Sequence, residues 1–145
     1  MFTVEICHLT ITEINNYLIK NDLIFVPSLS TRFDINNFAI KLNKYAIHFC
    51  AHQEEKLIGF SGCYFNNIKI RTGFISNFSV IKEFQGMGVA KNLLSSIIEY
   101  GSRNGFIQIK LQVYISNLPA IQFYTKYGFI EISRNKDLSE MVLYL

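Results

Sequence analysis

A mixed α/β fold on a single β-sheet is what this sequence predicts, and three observations predict it. Apolar residues recur at helical spacing in four separate segments, and between those segments they alternate with a period of two. One helical segment lies between two alternating ones, giving a strand, helix, strand unit whose strands should run parallel. The remaining strands read as hairpin partners, so the sheet is expected to be largely antiparallel around a central parallel pair, flanked by about four helices.

The elements follow in chain order. Thr10 to Asp22 reads as a short helix, with Thr10 as cap, Glu13 three positions on as in a capping box, and Ile14, Tyr17 and Leu18 on one face. After the turn-like segment around Pro27, Ser28 to Asn43 repeats the helical spacing through Phe38, Leu42 and Tyr45. From Tyr45 the period becomes two, with Ile47, Phe49 and Ala51 set against His48, Cys50 and His52 up to the polar turn Gln53 to Lys56. Leu57 to Phe65 is the return strand, Asn66-Asn67 a turn, and Arg71 to Ile81 a longer strand rich in Phe, Ile and Val. Ala90, Leu93, Leu94, Ile97 and Ile98 then form one apolar helical stripe that Asn104-Gly105 ends. Ile107, Ile109, Leu111 and Val113 alternate as the next strand, Pro119 opens a short helix to Tyr127 that Gly128 closes, and Phe129 to Ser133 and Met141 to Leu145 complete the sheet.

The chain has 145 residues, which at about 150 residues per domain makes Met1 to Leu145 one domain. Half its residues are hydrophobic and 17% are charged, a balance that supports a buried core and excludes disorder. The formal charge of +3 is small and evenly spread, so no nucleic-acid partner is implied. Charged and amide residues interrupt every apolar run before membrane-spanning length, and the first residues lack a secretion or lipidation signal, so no membrane partner and a cytoplasmic location are expected. Cys7, Cys50 and Cys63 are an odd set without a CxxC pair and are expected as separate buried thiols in the core. His48, Cys50 and His52 alternate on one strand, but same-face neighbours stand about 7 Å apart, too far to converge on one metal, so no metal site is expected.

The most specific local signal is Gln85-Gly86-Met87-Gly88-Val89-Ala90, placed between a strand and an amphipathic helix. Glycines let the backbone approach a ligand, and free N–H groups at a helix start favour phosphate oxygens. No Gly-Lys-Ser/Thr follows, which excludes a Walker A loop, and some 80 residues precede the motif, which excludes a dinucleotide fold opening on its first strand.

Gln85-x-x-Gly88-x-Ala90 resembles the Q/R-x-x-G-x-G/A signature of the GNAT superfamily of acyl-CoA-dependent N-acyltransferases, and Asn117-x-x-Ala120-x-x-x-Tyr124-x-Lys126-x-Gly128-Phe129 resembles its downstream motif. The resemblance implies acetyl-CoA as co-substrate, lying where two parallel strands splay apart. It implies that backbone at Phe78, Ser79 and Val80 pairs with the pantetheine arm, that Gln85, Gly86, Met87, Gly88, Val89 and Ala90 cradle the diphosphate, and that the Asn117 side chain holds the arm. Tyr124, also placed against the cofactor, matches the family's usual general acid: a phenol of pKa about 10 is protonated at neutral pH and can donate to a leaving thiolate.

Two positions depart from many relatives. Members often carry a glutamate eleven residues ahead of the motif glutamine, where this chain has Phe74, or five residues before the motif asparagine, where it has Gln112. Neither side chain accepts a proton usefully. An α-amine of pKa near 8 needs less help than a lysine near 10.4, so the expected acceptor is a small-molecule primary amine, an amino sugar or an α-amine, with Ser76, Tyr64 or His48 holding a relaying water. Glu83 and Lys126 read as surface charges. Arg32, placed on the second helix, is a candidate for binding a carboxylate or phosphate of the acceptor. Ser28-Leu29-Ser30 through Arg32 to Lys44-Tyr45-Ala46 weakly resembles bacterial members of surface-polysaccharide synthesis, which suits an amino sugar. The alternatives are acetylation of a protein N-terminus or other amine, and a non-catalytic acyl-CoA-binding module. Exposed strand edges make a homodimer a further expectation.

Overall fold

The structure is a computed structural model that describes all 145 residues. Strands β1 (Thr3–Cys7), β2 (Ile47–Gln53), β3 (Lys56–Tyr64), β4 (Thr72–Val80), β5 (Gln108–Tyr114), β6 (Ile130–Arg134) and β7 (Leu138–Tyr144) form one sheet in the order β1-β2-β3-β4-β5-β7-β6. Every neighbouring pair is antiparallel except β4 and β5. The crossover between those two is the helix that the sequence pattern places there. Helices α1 (Ile11–Lys20), α2 (Ile35–Tyr45), α3 (Val89–Arg103) and α4 (Leu118–Lys126) complete the fold.

Local chemistry sets the helix ends. The Thr10 hydroxyl accepts the Glu13 N–H at 3.1 Å while the Glu13 carboxylate accepts the Thr10 N–H at 3.0 Å. Caps of this kind contribute about 1 kcal/mol. The second helix starts later than its periodicity suggests. Leu29–Thr31 is a single 3-10 turn, and the Asp34 carboxylate caps α2 by accepting the Asn37 N–H at 3.0 Å. Arg32 therefore lies before the helix rather than on it.

The two faces of the sheet take different helices. A β-carbon added at Gly59 would meet Leu93 and Val89 of α3, whereas one at Gly62 would meet Leu42 of α2 at 2.7 Å and Asn77 Oδ1 at 2.8 Å. Positions three apart on a strand point to opposite faces, so α2 and α3 cover opposite sides. Tyr17 of α1 joins the α2 side, its ring edge-on to Phe60 and its hydroxyl 2.9 Å from the Ser79 hydroxyl.

Two expectations are corrected here. The first residues form the edge strand β1, too short and too exposed to stand out as a pattern. Its pairing sets Cys7 opposite His48 and Glu5 opposite Cys50, and the diagonal Cys7 and Cys50, 6.4 Å apart at Cα, are joined in a disulfide. Only Cys63 remains a buried thiol, and burial pushes its pKa up to about 12. Strand β2 also lacks a solvated face, because helices and β1 enclose it. His48 is 1% exposed, its Nδ1 accepting the Leu9 N–H at 2.9 Å and its Nε2 donating to the Leu42 carbonyl at 2.8 Å. With both ring nitrogens engaged, it is a structural residue and not a water relay.

Two outcomes follow. Gly62→Ala forces Leu42 and Asn77 aside and lowers stability by about 1–3 kcal/mol, read as a lower urea midpoint. Burial lowers the His48 pKa, His8 adding to the effect and the Leu42 carbonyl opposing it. The unfolded chain thus binds this proton first, and the neutral imidazole's contribution is present above about pH 6.5 and lost as pH falls below it. Thermal melts should show Tm falling on acidification through that range, with a shallower fall in His48→Gln.

Candidate functional site

Strands β4 and β5 are paired only from Thr72–Gln108 to Ile75–Leu111. Beyond that point Ser76 to Val80 and Gln112 to Tyr114 run on without each other. On the opposite edge of β4 the register with β3 slips, since Gly62 faces Asn77 and Cys63 faces Ile75, leaving Ser76 as the extra residue of a β-bulge. The parting strands open a cleft of about 870 Å³, walled by the Ile24–Asp34 segment and α2 on one side and by α4 on the other.

Of the residues singled out in the sequence, Arg32, Tyr64, Ser76, Phe78, Asn117 and Tyr124 line this cleft, together with Phe74 and Gln112. Ser79, Val80 and Gln85 to Ala90 do not line it. The Ser79 hydroxyl is turned to Tyr17, and the Val80 and Val89 side chains are in the core. The Gln85 side chain donates from Nε2 to the Val80 carbonyl at 3.0 Å, pinning the loop after β4 to the end of its strand.

The tip of α3 lies beyond that pin. Gly86 and Gly88 hold φ of 80° and 85°, and a β-carbon at either would meet nothing within 4 Å. Gly88 is the N-cap and offers no side-chain acceptor, so the first-turn amides of α3 have no capping side chain. This is a ready cradle for phosphate oxygens. The Asn117 carboxamide caps α4 through Oδ1, accepting the Ala120 N–H at 3.3 Å, which leaves its NH₂ group for a ligand.

Tyr124 sits at the cleft 7% exposed, packed against the rings of Phe78, Phe123 and Phe129 at centroid distances of 6.0, 5.4 and 5.4 Å. Burial pushes its phenol pKa well above the ordinary value, and the Cys63 thiol adds to the shift. Such a group keeps its proton at neutral pH. Burial also raises Tyr64, with Ser76 on the adjoining strand opposing. Across the cleft the Arg32 guanidinium lies 5.1 Å from the Tyr114 ring centroid and 5.5 Å from that of Phe33.

Among the polar lining residues, Asn77, Lys41, Asp34 and Asn37 escaped the sequence reading. Asn77 is a carboxamide in a strand of apolar and hydroxyl residues, a local anomaly that marks it. Lys41 shares a helical stripe with Asp34 and Asn37, at the i, i+3, i+7 spacing of one face. No group of three His, Cys, Asp or Glu side chains is placed to hold a metal ion. Glu83 and Lys126 are exposed, Glu83 lying 4.0 Å from Lys56. No helix is long and apolar enough to cross a membrane.

Comparison with known proteins agrees with this geometry. The model of the acetyltransferase (GNAT) family matches residues 17–129. An Arabidopsis thaliana protein, N-alpha-acetyltransferase MAK3, is 25% identical over 84% of this chain and 68% of its own. The chain spans a smaller share of other curated relatives, 41% and 38% of their length in two cases. Among solved structures, the ribosomal-protein-S18-alanine N-acetyltransferase of Escherichia coli superposes with a TM-score of 0.79 at 22% identity, covering 99% of this chain and 94% of the other. A GNAT family acetyltransferase from Elizabethkingia anophelis, solved with acetyl-CoA bound, gives 0.74 at 18% identity and covers 99% and 98%. With the splayed strand pair, the open helix tip and a family match over most of its length, the chain belongs to the acetyltransferase (GNAT) family.

Proposed function

We propose that this chain transfers an acetyl group from acetyl-CoA to a weakly basic primary amine, an α-amine or an amino sugar, with Tyr124 as the general acid. The observation that carries the reading is the cleft itself. Between Ser76 and Val80 the β5-facing amides and carbonyls of β4 have no strand partner, and an amide-bearing pantetheine arm has the groups to replace one. Backbone at Phe78, Ser79 and Val80 holds the arm, the amides from Gly86 to Ala90 hold the diphosphate, and the Asn117 NH₂ group steadies the chain between them. Acetyl-CoA supplies an activated acyl carbon and a thiolate leaving group.

The residues of the chain handle the protons. Tyr124 Oη keeps its proton until a thiolate forms beside it, then donates it. Ser76 and Tyr64 face the acceptor side, where a held water can take the proton the amine sheds. Phe74 and Gln112 stand on the two strands where a carboxylate base would sit, so the chain favours an amine that is already partly neutral at pH 7. The N-alpha-acetyltransferases among the relatives support an α-amine, and the sequence around Arg32 supports an amino sugar. A non-catalytic acyl-CoA-binding role is the alternative that kinetics excludes or upholds.

Tyr124→Phe keeps the ring packing and removes the donor. Its kcat, followed as thiol release, should fall by about 10²–10⁴, with KM for acetyl-CoA little changed. An unchanged kcat would take the acid role from Tyr124. Gly88→Val places a side chain in front of α3 without touching the core, and calorimetry should show acetyl-CoA affinity reduced about tenfold or more, while urea unfolding shows a loss of about 1–2 kcal/mol from the positive φ.

A further inference from the structure

Two side-chain atoms of residues on the wall of this cleft are buried without a hydrogen-bond partner: Arg32 Nε and Asn77 Nδ2. Asn77 is 6% exposed, and its Oδ1 is fixed by the Gly62 N–H at 2.9 Å, so the NH₂ end is the one left over. A buried donor with nothing to bond costs about 1–3 kcal/mol. The residues that bear these donors line one cavity, whose wall thus holds more donors than the chain itself satisfies.

Charge defines which oxygens. The ion pairs of the chain are Lys56–Glu83, Arg103–Glu99 and Arg134–Glu131, and none involves Arg32 or Lys41. Tyr114 and the Asp22 carboxylate both favour the Arg32 charge, and the two Asp22 oxygens accept from the Ser30 N–H at 2.8 Å and the Ser30 hydroxyl at 2.6 Å. The acid on the cleft wall is Asp34, which caps α2. Lys41 stands on the same wall, its ammonium 5.5 Å from the Tyr64 ring centroid. With Asp22 counted beside Arg32, the two positive charges face two negative ones and the wall is close to neutral.

We propose that the amine accepted here also carries a carboxylate, which docks on Arg32. This rests on the acetyl-transfer reading of the cleft and names its substrate class. The Arg32 guanidinium lies beside the Tyr114 and Phe33 rings and is in no ion pair, and its fork of parallel N–H donors suits the two oxygens of a carboxylate. A wall so nearly balanced suits the single charge of a carboxylate better than a phosphate monoester, which bears about −1.5 to −2 at neutral pH. The carboxylate can belong to the amine's own carbon, as in a free α-amino acid, or to an acidic residue following the N-terminus of a peptide.

The test uses acceptors matched except for the charge: alanine against alaninamide, C-terminally amidated Met-Asp against Met-Asn peptides, and glucosamine 6-phosphate against glucosamine. Thiol release gives kcat/KM, and calorimetry on the CoA-saturated chain gives acceptor binding. One carboxylate acceptor should exceed its amide partner by about tenfold or more, the alanine or the peptide pair showing which source is used. Arg32→Gln should bring that acid down to the level of its amide, Arg32→Lys should retain part of the preference, and KM for acetyl-CoA in both variants reports an intact fold. A carboxylate preference in binding that Arg32→Gln removes upholds the assignment even where no acetyl is transferred, in which case the transfer reading alone fails. Equal use of acid and amide, equal loss of both in Arg32→Gln, an advantage confined to the phosphate pair, or no acid preference in either measurement overturns it.

Discussion

The main-chain groups of β4 must be paired or solvated, and the fold leaves a row of them without a strand. A backbone N–H or C=O withdrawn from water without a partner costs as much as a lost hydrogen bond, so a sheet normally zips along its whole length. Here the zipper between β4 and β5 stops after Ile75 and Leu111. On one edge of β4 the bulge at Ser76 alters the pairing with β3, and between β4 and β5 the rings of α4, Phe123 and Tyr124, pack against Phe78. The wedge is apolar and the exposed edge is polar. That combination keeps the gap open and gives it a reason to bind.

The two ends of the gap differ in the chemistry they present. Toward α3 the available groups are amides at a helix start, with a loop whose root is pinned by Gln85 and whose glycines meet no neighbour. Toward α2 they are side chains: an arginine beside two aromatic rings, a lysine, a phenol and a carboxamide. Tyr124 lies between, buried enough to hold its proton firmly. On the proposed reading, a donor with polyanionic character at one end and a small acceptor at the other would be held by these different means.

Much of this was legible in the sequence because it is local. The capping box at Thr10, the stripe of α3, the alternation of β5 and the two motifs around Gln85 and Asn117 depend on residues within a few turns of one another, and the structure has each of these elements where the patterns place them. The start of α2 was misread because Leu29 to Thr31 continue the helical spacing for one 3-10 turn and Asp34, the true cap, is a single residue. Strand β1 and the Cys7–Cys50 disulfide were invisible for another reason. Both arise from a pairing between residues more than forty positions apart, with a five-residue strand that carries little pattern of its own. Asn77 and Lys41 were missed because a polar residue declares its purpose only when the partners around it are known.

The parting of β4 and β5 has an evolutionary corollary. If the carrier is gripped mainly by peptide groups, whose chemistry is the same whatever residue supplies them, the strand can change its side chains while the grip persists. On the proposed reading, recognition of the second substrate falls to a handful of side chains on α2 and the segment before it. Drift at those few positions would redirect the chain to a new amine while leaving its hold on coenzyme A intact, so this architecture is well suited to diversifying by small steps.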